Sequence, residues 1–113
     1  MHDRKWSASE KKSARRAFEA ALESALAGVM AEFKAKAAAA ATPSDMWDVG
    51  NWLHRRRREI DELFDYRYSQ LPCVFARLVL EGYLDEQRLA GLSEDKLEEV
   101  RYLNSRLRIV RDG

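Results

Sequence analysis

Residues 42–61, TPSDMWDVGNWLHRRRREID, decide how this chain folds. Thr42 suits a helix N-cap, because its hydroxyl accepts one of the backbone N–H groups that a helix start leaves unpaired. Pro43 fits the first helical position, where its missing N–H costs nothing, and Asp45 complements the positive end of the helix dipole. A helix therefore restarts here. Met46, Val49, Leu53, Ile60, Leu63, Phe64 and Arg67 lie along one side of it, which predicts a helix from Pro43 to about Arg67.

Upstream, Ser7-Ala8-Ser9-Glu10 has the pattern of a capping box. From there to about Ala41 only Gly28 opposes helix, and Phe18, Leu22, Ala25, Val29 and Phe33 recur at spacings of four and three, with Leu26 and Met30 beside them. The alanine run Ala37–Ala41 reads as a helix end or a small-residue contact. Such a helix is roughly 50 Å long and cannot cover its own apolar stripe. The short turn at Thr42 implies an antiparallel hairpin, and the remaining apolar surface implies a second chain.

Downstream, Pro72 opens a short helix through Val74, Phe75, Leu78 and Val79, with Gly82 as its stop. Asp85 to Ala90 adds a helical turn, and Ser93 caps a last helix carrying Leu97, Val100, Leu103, Leu107 and Val110. No segment alternates as a strand does. The expected fold is all-α and homodimeric, one domain over residues 1–113, with a long antiparallel hairpin stem (7–67) and a small C-terminal helical head (68–113).

The chain has 113 residues, with 20 basic and 19 acidic side chains and a net charge of +1. That balance argues against a general nucleic-acid or anionic-membrane binder. No apolar run approaches the ~20 residues of a membrane span, and Met1-His2-Asp3-Arg4-Lys5-Trp6 leads into polar helix rather than a signal core. The single cysteine, Cys73, excludes an internal disulfide framework and a cysteine-rich zinc site. The expectation is a cytoplasmic protein.

The four consecutive arginines Arg55–Arg58 raise the alternative of an arginine-rich helical nucleic-acid-binding module. Against it, Arg55 with Glu59, Arg57 with Asp61 and Arg58 with Glu62 are all spaced to pair along the helix. Arg57 stands on or beside the apolar stripe, as a buried, paired group or an interface anchor. Trp47, Asn51 and His54 form a further face, for which core packing of Trp47 is the plainer account. Neither His54 nor His2 has a companion at ligand spacing, so no metal or other cofactor is expected. Glycine-rich phosphate loops, nucleophile elbows and Cys–His pairs are missing from the sequence, and Cys73 amid Leu71, Val74 and Phe75 reads as a small hydrophobe. The residues alone lead to a non-enzymatic helical interaction module.

From Asp45 onward the chain resembles the fluorescence recovery protein family. The resemblance rests on Trp47, Leu53, Arg57-Arg58-Glu59-Ile60-Asp61, Asp65, Arg67 and Ser69, then Val74-Phe75-Ala76, Glu81-Gly82, Leu89, Leu92, Asp95-Lys96, Val100 and Leu103. It implies an all-helical homodimer that acts in photoprotection. Such a protein binds the photoactivated orange carotenoid protein and speeds its return to the resting state. The family's patch couples a tryptophan and an arginine, matched here by Trp47 and Arg57, with a His-Asp pair between them. Gly50 and Asn51 stand at those two positions, and Cys73 replaces an exposed aromatic on the head. These departures imply a divergent member whose partner affinity is weakened or redirected. The expected partner-binding patch is Trp47, Gly50, Asn51, His54, Arg57, Asp61, Cys73 and Phe75. The expected dimer interface is Phe18, Leu22, Val29, Phe33, Leu53 and Ile60.

Overall fold

The computed structural model describes residues 5–113, and His2 lies outside them. Its elements are α1 (Ala8–Ala39), α2 (Pro43–Leu63), α3 (Leu71–Leu80), a 3-10 turn (Glu86–Leu89) and α4 (Glu94–Asp112). The fold is all-α, as expected. Among the described residues no helix is long and apolar enough to cross a membrane.

The expected capping box forms at α1, and α2 adds a second where the sequence suggested only a Thr42 N-cap and a dipole role for Asp45. The Ser7 hydroxyl accepts the Glu10 N–H at 3.1 Å, and Glu10 accepts the Ser7 N–H at 3.0 Å. Thr42 and Asp45 repeat the exchange at the start of α2. The Ala41 N–H, at 2.9 Å from the Asp45 carboxylate, holds that carboxyl below its ordinary range. A cap is worth about 1 kcal/mol, so the two starts are strongly marked.

The stem is an antiparallel hairpin. Near the turn, the Lys36 ammonium lies 5.3 Å from the centre of the Trp52 ring. At the far end, Phe18 meets Phe64 edge-on at 5.4 Å. The 32 residues of α1 account for most of the molecule's 53 Å length.

α2 stops four residues short of the expected Arg67. Phe64 leaves the helix with φ −93° and ψ 73°, while still donating its N–H to Ile60. Two anchors draw the chain away. Tyr66 packs against Phe18 at 4.8 Å beneath the Arg15 guanidinium, and Tyr68 packs against Trp6 at 5.4 Å. Arg67 turns back on Asp65, lowering that carboxyl's pKa, rather than continuing the apolar stripe.

α3 ends in a Schellman motif: the Tyr83 N–H bonds to the Leu78 carbonyl, the Gly82 N–H bonds to Val79, and Gly82 takes φ +81°. Head and stem share one core. Ala14, Ala17, Phe18 and Ala21 of α1 pack with Leu71, Val74, Phe75, Ala76 and Leu78 of α3, with Leu84, Leu89 and Leu92, and with Val100 of α4. The small α1 side chains let the head approach closely. At Gly91 a Cβ would stand 2.7 Å from the Ser13 Cβ, so only glycine fits there.

Two expectations about exposed positions change. Phe75 is wholly buried and offers no partner surface. Phe18 and Ile60, expected at the dimer interface, are buried inside their own chain, Phe18 in the core that the stem shares with the head.

Candidate functional site

α2 presents two unlike faces. Its inner face is occupied: Ile60 is buried, Trp52 lies beneath Lys36, and the Arg56 guanidinium donates to the Tyr83 hydroxyl at 2.5 Å while lying 3.5 Å from Glu59. Its outer face carries Trp47, Gly50, His54, Arg57 and Asp61, spaced three and four apart and therefore in line. All five are exposed, Trp47 at 68%. Asn51, also exposed, sits beside this line.

Large apolar side chains left in water mark contact surfaces when they cluster. Here they do. Leu26 (45% exposed), Met30 (57%) and Phe33 (38%) on α1 and Met46 (54%) on α2 all lie in the turn-ward half of the stem, with Trp47. Leu22, Val29 and Leu53 are half-buried. The head covers the other half of the stem, and no other described element covers this one.

The arginine run resolves by direction. Successive residues of an α-helix point about 100° apart, so Arg55–Arg58 face four ways and form no continuous basic strip. Arg57 is neither buried nor locked in place: its side chain is 81% exposed and lies 3.9 Å from Asp61, which is itself 71% exposed. Glu59, expected to pair with Arg55, instead turns to Arg56. Trp47 likewise does not pack in the core. Its exposure overturns the plainer account.

Cys73 is an exposed free thiol at the rim of an open cleft of about 410 Å³ between α2 and α3. Arg56, Glu59, Arg77, Glu81 and Tyr83 also line this cleft, so its walls mix both charge signs. Cys73 and the α2 line therefore belong to separate surfaces. Among the described residues no three His, Cys, Asp or Glu side chains converge as a metal site requires.

Two tethers were missed in the sequence. Arg56–Tyr83 ties stem to head, and Lys96 of α4 reaches Glu10 at 3.1 Å with its own side chain 5% exposed. A lysine at a helix start opposes the dipole. That misfit was the one local sign of a distant partner for Lys96.

The family model described as photoprotection regulator fluorescence recovery protein matches residues 6–104. The fluorescence recovery protein of Synechocystis sp. is 34% identical over 98 residues, covering 87% of this chain and 90% of that protein. The structure of the Fremyella diplosiphon fluorescence recovery protein superposes with a TM-score of 0.85 at 35% identity, covering 89% of this chain and 99% of that one. The Synechocystis structure gives 0.83 at 33%, covering 88% and 97%. The match spans stem and head alike, including the helix before Asp45. The chain belongs to the fluorescence recovery protein family, whose members are non-enzymatic regulators of photoprotection.

Proposed function

We propose that this chain acts as a homodimeric regulator that binds photoactivated orange carotenoid protein and speeds its return to the resting state. The observation that carries the proposal is the outer line of α2, Trp47-Gly50-His54-Arg57-Asp61, exposed in full and bordered by uncovered apolar stem. An exposed tryptophan near an exposed arginine has the composition of an interface anchor. Neither is committed to the chain's own core.

The stem's apolar half is the proposed dimer surface, formed by Leu22, Val29, Phe33 and Leu53 together with Leu26, Met30 and Met46. Phe18 and Ile60 drop out of it because the core already holds them. Trp47 and Arg57 then stand at its margin. Light scattering at micromolar concentration tests this: a monomer with its helices intact overturns the dimer.

The regulator works by differential affinity. It accelerates recovery by binding the partner more tightly on the return path than in the photoactivated conformer, since a ligand biases states only by the difference in its affinity for them. Gly50 leaves an open gap in the line, where a Cβ would meet nothing within 4 Å. Asn51 beside it brings a neutral amide where a carboxylate would give charge-assisted bonds. Both features weaken a polar contact without altering the scaffold. The test is the dark recovery rate of photoactivated carotenoid protein with and without this chain. Acceleration supports the proposal; if both the native chain and Gly50→His/Asn51→Asp leave the rate unchanged, carotenoid protein is not the partner.

A further inference from the structure

Glu10 belongs to two helices at once. Its Oε1 accepts the Ser7 N–H at 3.0 Å and closes the capping box of α1. Its Oε2 accepts the Ser93 N–H at 2.9 Å, at the N-cap of α4, 83 residues away in sequence. The Lys96 ammonium bridges both oxygens, at 3.2 and 3.1 Å, and also donates to the Lys5 carbonyl at 2.8 Å. That ammonium lies 4.8 Å from the centre of the Trp6 ring, which also packs against Tyr68 on the stem–head connection. One carboxylate and one ammonium thus join the start of the stem, the connection and the start of the last head helix.

The apolar support of this cluster comes mainly from Trp6, which packs against the edge of the core. Ser7, Ala8 and Ser9 are exposed, Trp6 is half-buried, and the α1 residues held in the core begin at Ala14. A turn held by polar bonds at the molecular surface belongs to the low-stability end of a fold and opens before the core does. Losing the first turn of α1 removes the Glu10 carboxylate from α4. Losing the first turn of α4 removes the Lys96 ammonium from α1. Each start is the other's cap.

We propose that residues 5–11 form a releasable strap, in which Glu10 and Lys96 couple the N-termini of α1 and α4 so that the two open as one unit. The core of Ala14, Ala17 and Phe18 remains packed when the strap opens. This coupling involves neither the outer line of α2 nor the stem's apolar half, so it stands whether or not carotenoid protein is the partner.

Hydrogen exchange of the full chain tests the coupling with two mild variants that each touch one helix. Ser7→Ala removes only a side-chain bond within α1, and Ser93→Ala removes only a side-chain bond within α4. Coupled opening is reciprocal. Ser7→Ala is therefore expected to speed exchange at the Ser93, Lys96 and Leu97 amides as well as at Glu10 and Lys11, roughly fivefold in each set, as the loss of an N-cap implies. Ser93→Ala should do the same in reverse. Acceleration confined to the helix that carries the substitution overturns the strap.

Discussion

The stability that Glu10 provides has a pH signature that separates its charge from its shape. The Ser7 N–H does most to hold its carboxyl down; burial opposes this, and the Ser93 N–H and Lys96 reinforce it, bringing the group from 4.5 to about 2. At about 1.36 kcal/mol per tenfold change in proton affinity, that drop sets a ceiling of roughly 3 kcal/mol. The side chain is 12% exposed at the molecular surface, so water screens part of the interaction, and about 2 kcal/mol is the expected net. The folded state binds fewer protons here than the unfolded state, so the contribution is fully present above pH ~4.5 and is lost as pH falls towards 2. Glu10→Gln keeps the size and removes the charge. Urea unfolding of both proteins from pH 7 to 2, at one fixed protein concentration, measures the gap, and the remaining carboxylates cancel in the difference. The native chain should be more stable by about 2 kcal/mol at pH 7, with the two converging near pH 2. A gap that stays constant down to pH 2 refutes the assignment of the stability to the charged carboxylate.

Phe75→Ala should cost about 3–5 kcal/mol in urea unfolding, because the side chain is wholly enclosed; a surface contact residue would cost far less. Tyr83→Phe removes the acceptor for Arg56 and should cost about 1 kcal/mol by the same measurement, with helix content by circular dichroism unchanged. Gly91→Ala places a methyl against Ser13 and should lower the melting temperature, and adding Ser13→Gly should recover most of that loss. Arg57→Ala, at an 81% exposed side chain, should change stability by no more than about 0.5 kcal/mol while slowing carotenoid-protein recovery. An unchanged recovery rate would remove Arg57 from the proposed contact.

What the sequence made legible was whatever is decided locally. Ser7 with Glu10, Thr42 as N-cap, and Gly82 each satisfy backbone groups within a few residues, so they read correctly from spacing alone. The end of α2 did not, because Phe64, Tyr66 and Tyr68 leave helical order for contacts with Phe18 and Trp6 on another element. Phe18 and Phe75 failed for a related cause. Their spacing marks them as apolar, but whether an apolar side chain meets its own head or a second chain is settled by the chain path.

The arginine run shows how the same limit bears on function. Arg56 and Arg57 are chemically identical neighbours, and the sequence sets only Arg57 on or beside the apolar stripe, whereas the structure turns Arg56 inward and leaves Arg57 exposed. Their roles separate at Tyr83, 27 residues on, whose hydroxyl takes Arg56 and, with the buried Ile60, helps hold that face of α2 inward. With that face inward, Arg57, Trp47, Gly50, His54 and Asp61 stand outward. The tether between stem and head therefore also orients the candidate surface. Weakening it by Tyr83→Phe should disturb partner contact along α2 even though the tyrosine lies on the opposite side of that helix.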